Sequence, residues 1–388
     1  MSGYQITESA VQLLTAARDT TGIGIMDDEA MLPLGVMLKS LNEDAGMHEA
    51  GAKAMRNRLL RILCNRLRMF RDFAAHPEIE AQKINAPIMF CGLGRSGSTK
   101  THKLVAASGD FNFLTYWEVF NPSLLTGDRS ESPQPRIDEA IAYVNWFNEV
   151  SPDTRKGHAF EPLEAEEDSY VLEHSLVSPT STGWAPIPGY LAWVVRQDMS
   201  TQFRYLKRVL QYLQWQGLAS PNKRWILKCP MYAGMEREML AVFPDASLIM
   251  THRDPVNIVA SSIRLMECFH TPFTHAPVFL PSMTGLSLAM DAHLHNRQTI
   301  PAFRVLDLSF KELTGPVEPA LQKIYDFTGA ELTVAARQRM LDWDAGNPQH
   351  KYGKFHYNLA DYGLHEAEIL HAFAAYTEFL QETFGDRA

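Results

Sequence analysis

The chain has 388 residues, enough for one large α/β domain with insertions or two smaller ones, and its 46% hydrophobic content is ample for a core. A net charge of −9 and an isoelectric point near 5.9 argue against a general nucleic-acid binder. The amino terminus lacks the basic and apolar stretches of a signal peptide, no apolar run approaches the length of a membrane span, and four cysteines without metal-ligand spacing point to buried free thiols in a reducing, cytoplasmic setting.

Residues 1–85 read as a helical extension. Ile6, Val11 and Leu14, then Leu34, Met37, Leu38 and Leu41, fit two short amphipathic helices. Residues 50–75 fit a third, with Leu59, Leu60, Leu63, Leu67 and Phe70 on one face and Lys53, Arg56, Arg58, Arg61, Arg66, Arg68 and Arg71 on the others. Such a basic face reads as solvated. An acidic partner, a dimer contact or a lip over an anionic ligand are its other uses, and the oligomeric state stays open, a homodimer included.

Residues 87–91 form an apolar run suited to a strand buried on both faces. Gly92, Gly94 and Gly97 follow, and Ser98 and Thr99 open a helix that continues through Leu104, Val105 and Ala107. A strand, loop and helix in this order aim several N–H groups and the positive end of a helix dipole at one point. Arg95, Ser96, Ser98 and Thr99 add side-chain donors, so the loop reads as a phosphate or sulfate cradle. It departs from the nucleotide-triphosphate loop G-x-x-x-x-G-K-[ST], because Ser98 stands at the lysine position although Thr99 fits the next one. It also departs from the G-x-S-x-G nucleophile elbow, because 94–98 ends in Ser98.

Beyond the cradle, 111–115 fits a short strand, 121–136 an exposed loop rich in Pro, Ser, Gly and Asp, and 137–150 a helix. His158 opens an acidic segment that leads into a helix near 166–175. Tyr190, Trp193, Phe203, Tyr205, Tyr212 and Trp215 dominate a long helical region that reads as core, part of it available to wall an apolar acceptor pocket. Apolar runs at 224–229, 246–251 and 303–308 alternate with helices, as at 231–243 and 255–267, which argues for a parallel sheet covered on both faces. The expected division is a helical region 1–85 and an α/β domain 86–388 with helical insertions at about 120–220. Arg253 at a strand end and Ser261 on the next helix can grip one phosphate between them. His252-Arg253-Asp254 does not make a kinase catalytic loop, since residue 259 is Val where that loop has Asn.

Gly94-Arg95-Ser96-Gly97-Ser98-Thr99 after an apolar strand, followed later by Arg253-Asp254-Pro255 with Ser261 eight residues after the arginine, resembles the two donor motifs of sulfotransferases that use 3′-phosphoadenosine-5′-phosphosulfate (PAPS). The resemblance is closest to the branch that writes the first loop G-R-S-G-[ST]-T. It spans roughly 86–364, and the first 85 residues carry none of it. It implies a P-loop NTPase-like parallel sheet flanked by helices. It also implies the 5′-phosphosulfate on Gly94, Arg95, Ser96, Gly97, Ser98 and Thr99, and the 3′-phosphate on Arg253 and Ser261. Lys228, in Trp225-Ile226-Leu227-Lys228-Cys229-Pro230, matches the family's donor-side lysine and joins Arg95 near the transferred group. The chain departs from the small-molecule branch at Pro230, where that branch has its histidine base. His158 and Glu118 are the replacements, with His158 preferred as base and Glu118 as an orienting or alternative base. Lys351, Lys354 and His356 lie in a stretch resembling the family's C-terminal segment and would close over the nucleotide.

The reaction so implied is sulfuryl transfer to a hydroxyl, less readily an amine, of a small and partly apolar acceptor, with no metal, no nucleic-acid partner and no membrane span. The rivals are a nucleotide-dependent small-molecule kinase, which ATP–Mg²⁺ binding would favour, and a nucleotide-binding protein without turnover, which donor binding without transfer would favour.

Overall fold

In this computed structural model, which describes residues 3–278, 283–301 and 303–388, the alternation along residues 88–91 divides the core. Ile88 and Phe90 of strand β1 (Ile88–Cys91) face one way, Met89 and Cys91 the other, and all four are fully buried. Strands β2 (Ile226–Lys228), β3 (Ser247–His252) and β4 (Val305–Ser309) join β1 in a parallel sheet of order β2-β1-β3-β4. Ile88 is in register with Ile226 on one side and Ser247 on the other, and Ile249 with Leu306. One face of the sheet packs Phe90, Ile226 and Ile249 against Leu104, Val105, Leu321 and Ile324; the other packs Met89, Leu227 and Leu248 into the larger core. Each such buried aliphatic or aromatic side chain contributes about 1.5–3 kcal/mol.

Three helices precede the sheet: α1 (Ala10–Thr21), α2 (Asp28–Glu43) and α3 (Glu49–Ala75). Ser9 and Gln12 form a capping box at the start of α1, and Gly22, with φ 69°, closes it. Leu13, Leu14, Leu34, Leu38, Leu59 and Leu63 are buried in the same cluster as Met89, Leu227 and Leu248 of the sheet. The basic side of α3 is not a solvated face. Arg58 and Arg66 are buried against Glu173 and Asp27, and Arg56 is half-buried against Glu8.

After β1 come α4 (Ser98–Ala106), α5 (Tyr116–Phe120), α6 (Gln134–Val150), α7 (Thr154–Gly157), α8 (Ser169–Leu172), α9 (Pro188–Val194) and α10 (Ser200–Gln216). Between the remaining strands and beyond them lie α11 (Glu236–Val242), α12 (Pro255–His270), α13 (Met283–Thr299), α14 (Phe310–Thr314), α15 (Glu318–Thr328), α16 (Val334–Gly346), α17 (Glu366–Ala372) and α18 (Ala374–Phe384). The strand expected at 111–115 is absent. Asn112 bridges Trp225 and Thr115 bridges Ala165, each singly, because Thr115 already serves as the cap of α5. The loop 121–136 is exposed only in part, since Asn65 bonds Asn121 and Ser123 and holds 121–124 inside. Gly234, at φ 83°, interrupts the helix expected at 231–243, leaving α11. The aromatic region is core: Tyr190, Phe203, Tyr205 and Tyr212 are all buried. All four cysteines are buried, and among the described residues no helix is long and apolar enough to cross a membrane.

Candidate active site

Because the strands run parallel, their carboxyl ends share one edge of the sheet, and the loops leaving adjacent β1 and β3 toward α4 and α12 enclose a crevice there. The first loop is tightly wound, with Arg95 at φ 75° and Gly97 at φ 98°. Gly92 has φ 140°, and a Cβ there would lie 2.4 Å from the Thr251 carbonyl oxygen, so no larger residue fits. Ser96 is buried, its Oγ 2.7 Å from Thr251 Oγ1, and ties the loop to β3. Helix α4 starts at Gly97 without a side-chain cap, which leaves its first-turn N–H groups for an outside acceptor.

These groups face a cleft of about 660 Å³. Of the residues singled out from sequence, Arg95, Gly97, Ser98, Thr99, His158, Arg253 and Ser261 line it; Gly94, Ser96, Glu118 and Lys228 do not. Arg95 Nε donates to Ser261 Oγ at 3.0 Å, and its terminal nitrogen to the Gly157 carbonyl. Arg253 donates to the Arg95 carbonyl at 3.0 Å and lies 4.1 Å over the Phe310 ring. Among the described residues neither guanidinium forms an ion pair with a carboxylate. Burial, and for Arg95 also the neighbouring Arg253, lowers both pKa values. Two partly desolvated cations bonded to neutral oxygens are thus left without a compensating carboxylate among the described residues.

His158 follows α7, with its ring 4.9 Å from Phe160 and 6.0 Å from Phe269. Its Nε2 lies 3.0 and 3.2 Å from the two carboxylate oxygens of buried Glu166. Burial pushes the Glu166 carboxyl upward, but His158, Lys103 and the Glu167 N–H outweigh it and hold the group below the usual carboxylate range. An ionised carboxylate only accepts, so in the neutral ring Nε2 carries the proton and Nδ1 keeps its lone pair. Nδ1 lies 3.6 Å from Glu167, whose carboxylate also pairs with Lys228 Nζ. The Lys228 backbone N–H donates to Asp168 at 3.0 Å, so residues 166–168 lace His158 to the end of β2. Three ligand atoms of His158, Glu166 and Glu167 lie within 4.8 Å of one another, the spacing of a metal set, but Glu166 and Lys228 already engage two of them.

Glu118 is elsewhere. It is buried in the capping box of α5, accepting from the Thr115 N–H and hydroxyl, both at 2.7 Å. The carboxylate beside His158 is Glu166, which sequence reading passed over as one acid in an acidic run. Its only signal was a place eight residues after His158. Of the C-terminal stretch, Lys351, Tyr352, Lys354 and Tyr357 line the cleft, while His356 does not.

The profile of the sulfotransferase family matches residues 87–334. The fold is similar to that of sulfotransferase STF9 from Mycobacterium avium, at 23% identity and a TM-score of 0.81 over 97% of this chain and 98% of that one. It is also similar to that of sulfotransferase STF1 from Mycobacterium tuberculosis H37Rv, at 24% identity and a TM-score of 0.77 over 96% of this chain and 100% of that one. No curated protein sequence matches the chain. With a matched span that covers well over half of the chain and runs from β1 past β4, the chain belongs to the sulfotransferase family.

Proposed function

We propose that this protein moves the sulfuryl group of PAPS to a hydroxyl of a small acceptor. The observation that carries the proposal is the pair Arg95 and Arg253, held at the open end of α4 with no carboxylate partner among the described residues. The residues fit the donor's chemistry: helix N–H groups with Ser98 and Thr99 for the 5′-phosphosulfate, Arg253 and Ser261 for the 3′-phosphate, and Phe310, Leu313 and Trp343 as an apolar shelf in the same cleft. Bound there, the donor supplies an electrophilic sulfur and a bisphosphate leaving group.

The acceptor hydroxyl gives its proton to His158 Nδ1 as its oxygen bonds to sulfur and the bond from sulfur to the phosphate oxygen breaks. Glu166 keeps the ring oriented through Nε2 and offsets the charge it acquires. Arg95 stabilises negative charge on the transferred group, and Lys228, positioned by Glu167, adds to that field. Glu118 supports α5 and takes no part. No metal enters this scheme, so transfer should persist in excess chelator.

Labelled PAPS offered with pooled acceptors tests the reading, using wild type and His158→Ala. Label should appear in acceptor with wild type, and His158→Ala should lose about 10²–10⁴ in kcat with donor affinity nearly unchanged. Near-normal turnover in His158→Ala would remove the base assignment. Loss of turnover that chelator causes and metal restores would remove the metal-free scheme.

A further inference from the structure

Lys228 ends β2 close to the cradle, yet it does not line the cleft. Its Nζ is buried and held back by an ion pair with Glu167 Oε1. That same oxygen lies 3.6 Å from His158 Nδ1, the nitrogen that keeps its lone pair. One carboxylate oxygen thus stands between the donor-side cation and the base. It serves the cation and leaves the neutral ring unserved, because an imidazole nitrogen without a proton has nothing to donate.

The charges around the ring show what a move of Lys228 would do. Its own segment brings Glu166 to Nε2 and Glu167 to Nδ1, and β2 brings Lys228. Helix α4 brings Lys103, which pairs with Glu164, and α12 brings only the Phe269 ring. Arg95 reaches the neighbouring Gly157 carbonyl and opposes a charged ring until an anion covers it. Burial pushes the Asp168 carboxyl up to about 7 against its backbone N–H bonds, and the Glu167 charge adds to the push. Glu166, Glu167 and Lys228 together leave one negative charge beside a neutral ring and none beside a protonated one. With Lys228 gone, a carboxylate faces each ring nitrogen uncovered, and the ring holds a proton more tightly.

We infer that Glu167 is a positioning residue that couples the donor site to the base: it holds Lys228 until an anionic donor draws the ammonium into the cleft. Its freed oxygen then takes the Nδ1–H that His158 gains from the acceptor. The base is therefore strongest when a donor is in place. This rests on the sulfuryl-transfer reading above.

The test follows the His158 imidazole by NMR across pH, with and without 3′-phosphoadenosine-5′-phosphate, in wild type and Lys228→Met. Calorimetry of the same nucleotide compares wild type with Glu167→Gln. In wild type the nucleotide should raise the apparent pKa of His158 by about 1 or more, as an uncovered charge within about 4–6 Å does. Lys228→Met should start near the raised value and move less than about half as far, because it has no ammonium to release. Glu167→Gln keeps the shape of the side chain and should bind the nucleotide about fivefold or more tighter than wild type, since no ion pair has to break. A merely structural Glu167 would leave affinity unchanged or weaken it, and that result overturns the inference. So does an equal rise of the His158 pKa in wild type and Lys228→Met, which would show the nucleotide acting on the ring directly. Failure of wild type to bind the nucleotide at all would strike the sulfuryl-transfer reading itself, and this inference with it.

Discussion

The helical layer and the cleft use the same side chain in opposite ways. Along α3, Arg56, Arg58, Arg66 and Arg71 each meet a carboxylate, from Glu8, Glu173, Asp27 and Asp72. In the cleft, Arg95 and Arg253 meet a hydroxyl, two carbonyls and the Phe310 ring, and among the described residues no carboxylate. A buried cation without a counter-ion costs stability, so it persists where something outside the protein supplies the charge. Accounting for counter-ions thus separates arginines paired within the fold from those proposed above to take a ligand, where counting basic residues would have pointed to α3. Arg61 is the intermediate case. It donates to the Phe120 carbonyl and lies 3.7 Å over the Phe120 ring, and burial, with Arg58 nearby, lowers it to about 10.

The largest effect that can break this contrast is on the structural side. Arg58→Ala leaves Glu173 buried and unpaired, and should cost about 3–5 kcal/mol of stability by denaturant unfolding. Its refolded fraction should still bind the donor nucleotide with wild-type affinity. Loss of affinity without loss of stability would reverse the assignment.

A smaller effect concerns pH. Burial pushes the Glu118 carboxyl up to about 7, although its bonds from Thr115 pull the other way. The folded protein keeps this proton to about pH 7, whereas the unfolded chain releases it near the ordinary glutamate value of about 4.3. The folded state therefore binds more protons between these values, and this group makes stability fall as pH rises through that window. Glu118→Gln should flatten that fall while leaving kcat within a few-fold of wild type. A dead Glu118→Gln enzyme of normal stability would return the base role to Glu118.

The smallest effect is the converse of the first. Arg95→Met removes a cation that has no counter-ion and should leave unfolding stability unchanged or raise it by up to about 1 kcal/mol, while transfer is lost. A destabilisation matching that of Arg58→Ala would erase the distinction between the two regions.

What could be read from sequence follows how local each signal is. Strands β1, β2 and β3 announce themselves as apolar runs because each is buried along its length, the edge strand β4 less so because only Leu308 and Ser309 are buried, and the cradle because its glycines and hydroxyls are close together. Three of the four ion pairs of α3 were hidden, since their acids lie 39, 48 and 115 positions away, whereas Asp72 is the neighbour of Arg71. Glu166 was hidden for a different reason. An eight-residue spacing across irregular chain has no periodicity, so only the fold shows that it reaches His158. Residues 111–115 misled because Phe111 and Phe113 alternate like a strand, while the capping pair Thr115 and Glu118 already commits the chain to a helix.

The central claim is that Arg253 and its neighbours hold an unpaired charge for a phosphate. Calorimetry of wild type and Arg253→Ala with 3′-phosphoadenosine-5′-phosphate, and with the analogue lacking the 3′-phosphate, tests it most directly. The substitution should weaken the first ligand by about 2–4 kcal/mol, as expected for a lost charge-assisted phosphate contact, and change the second far less. Equal losses for both ligands, or none for either, would contradict the claim.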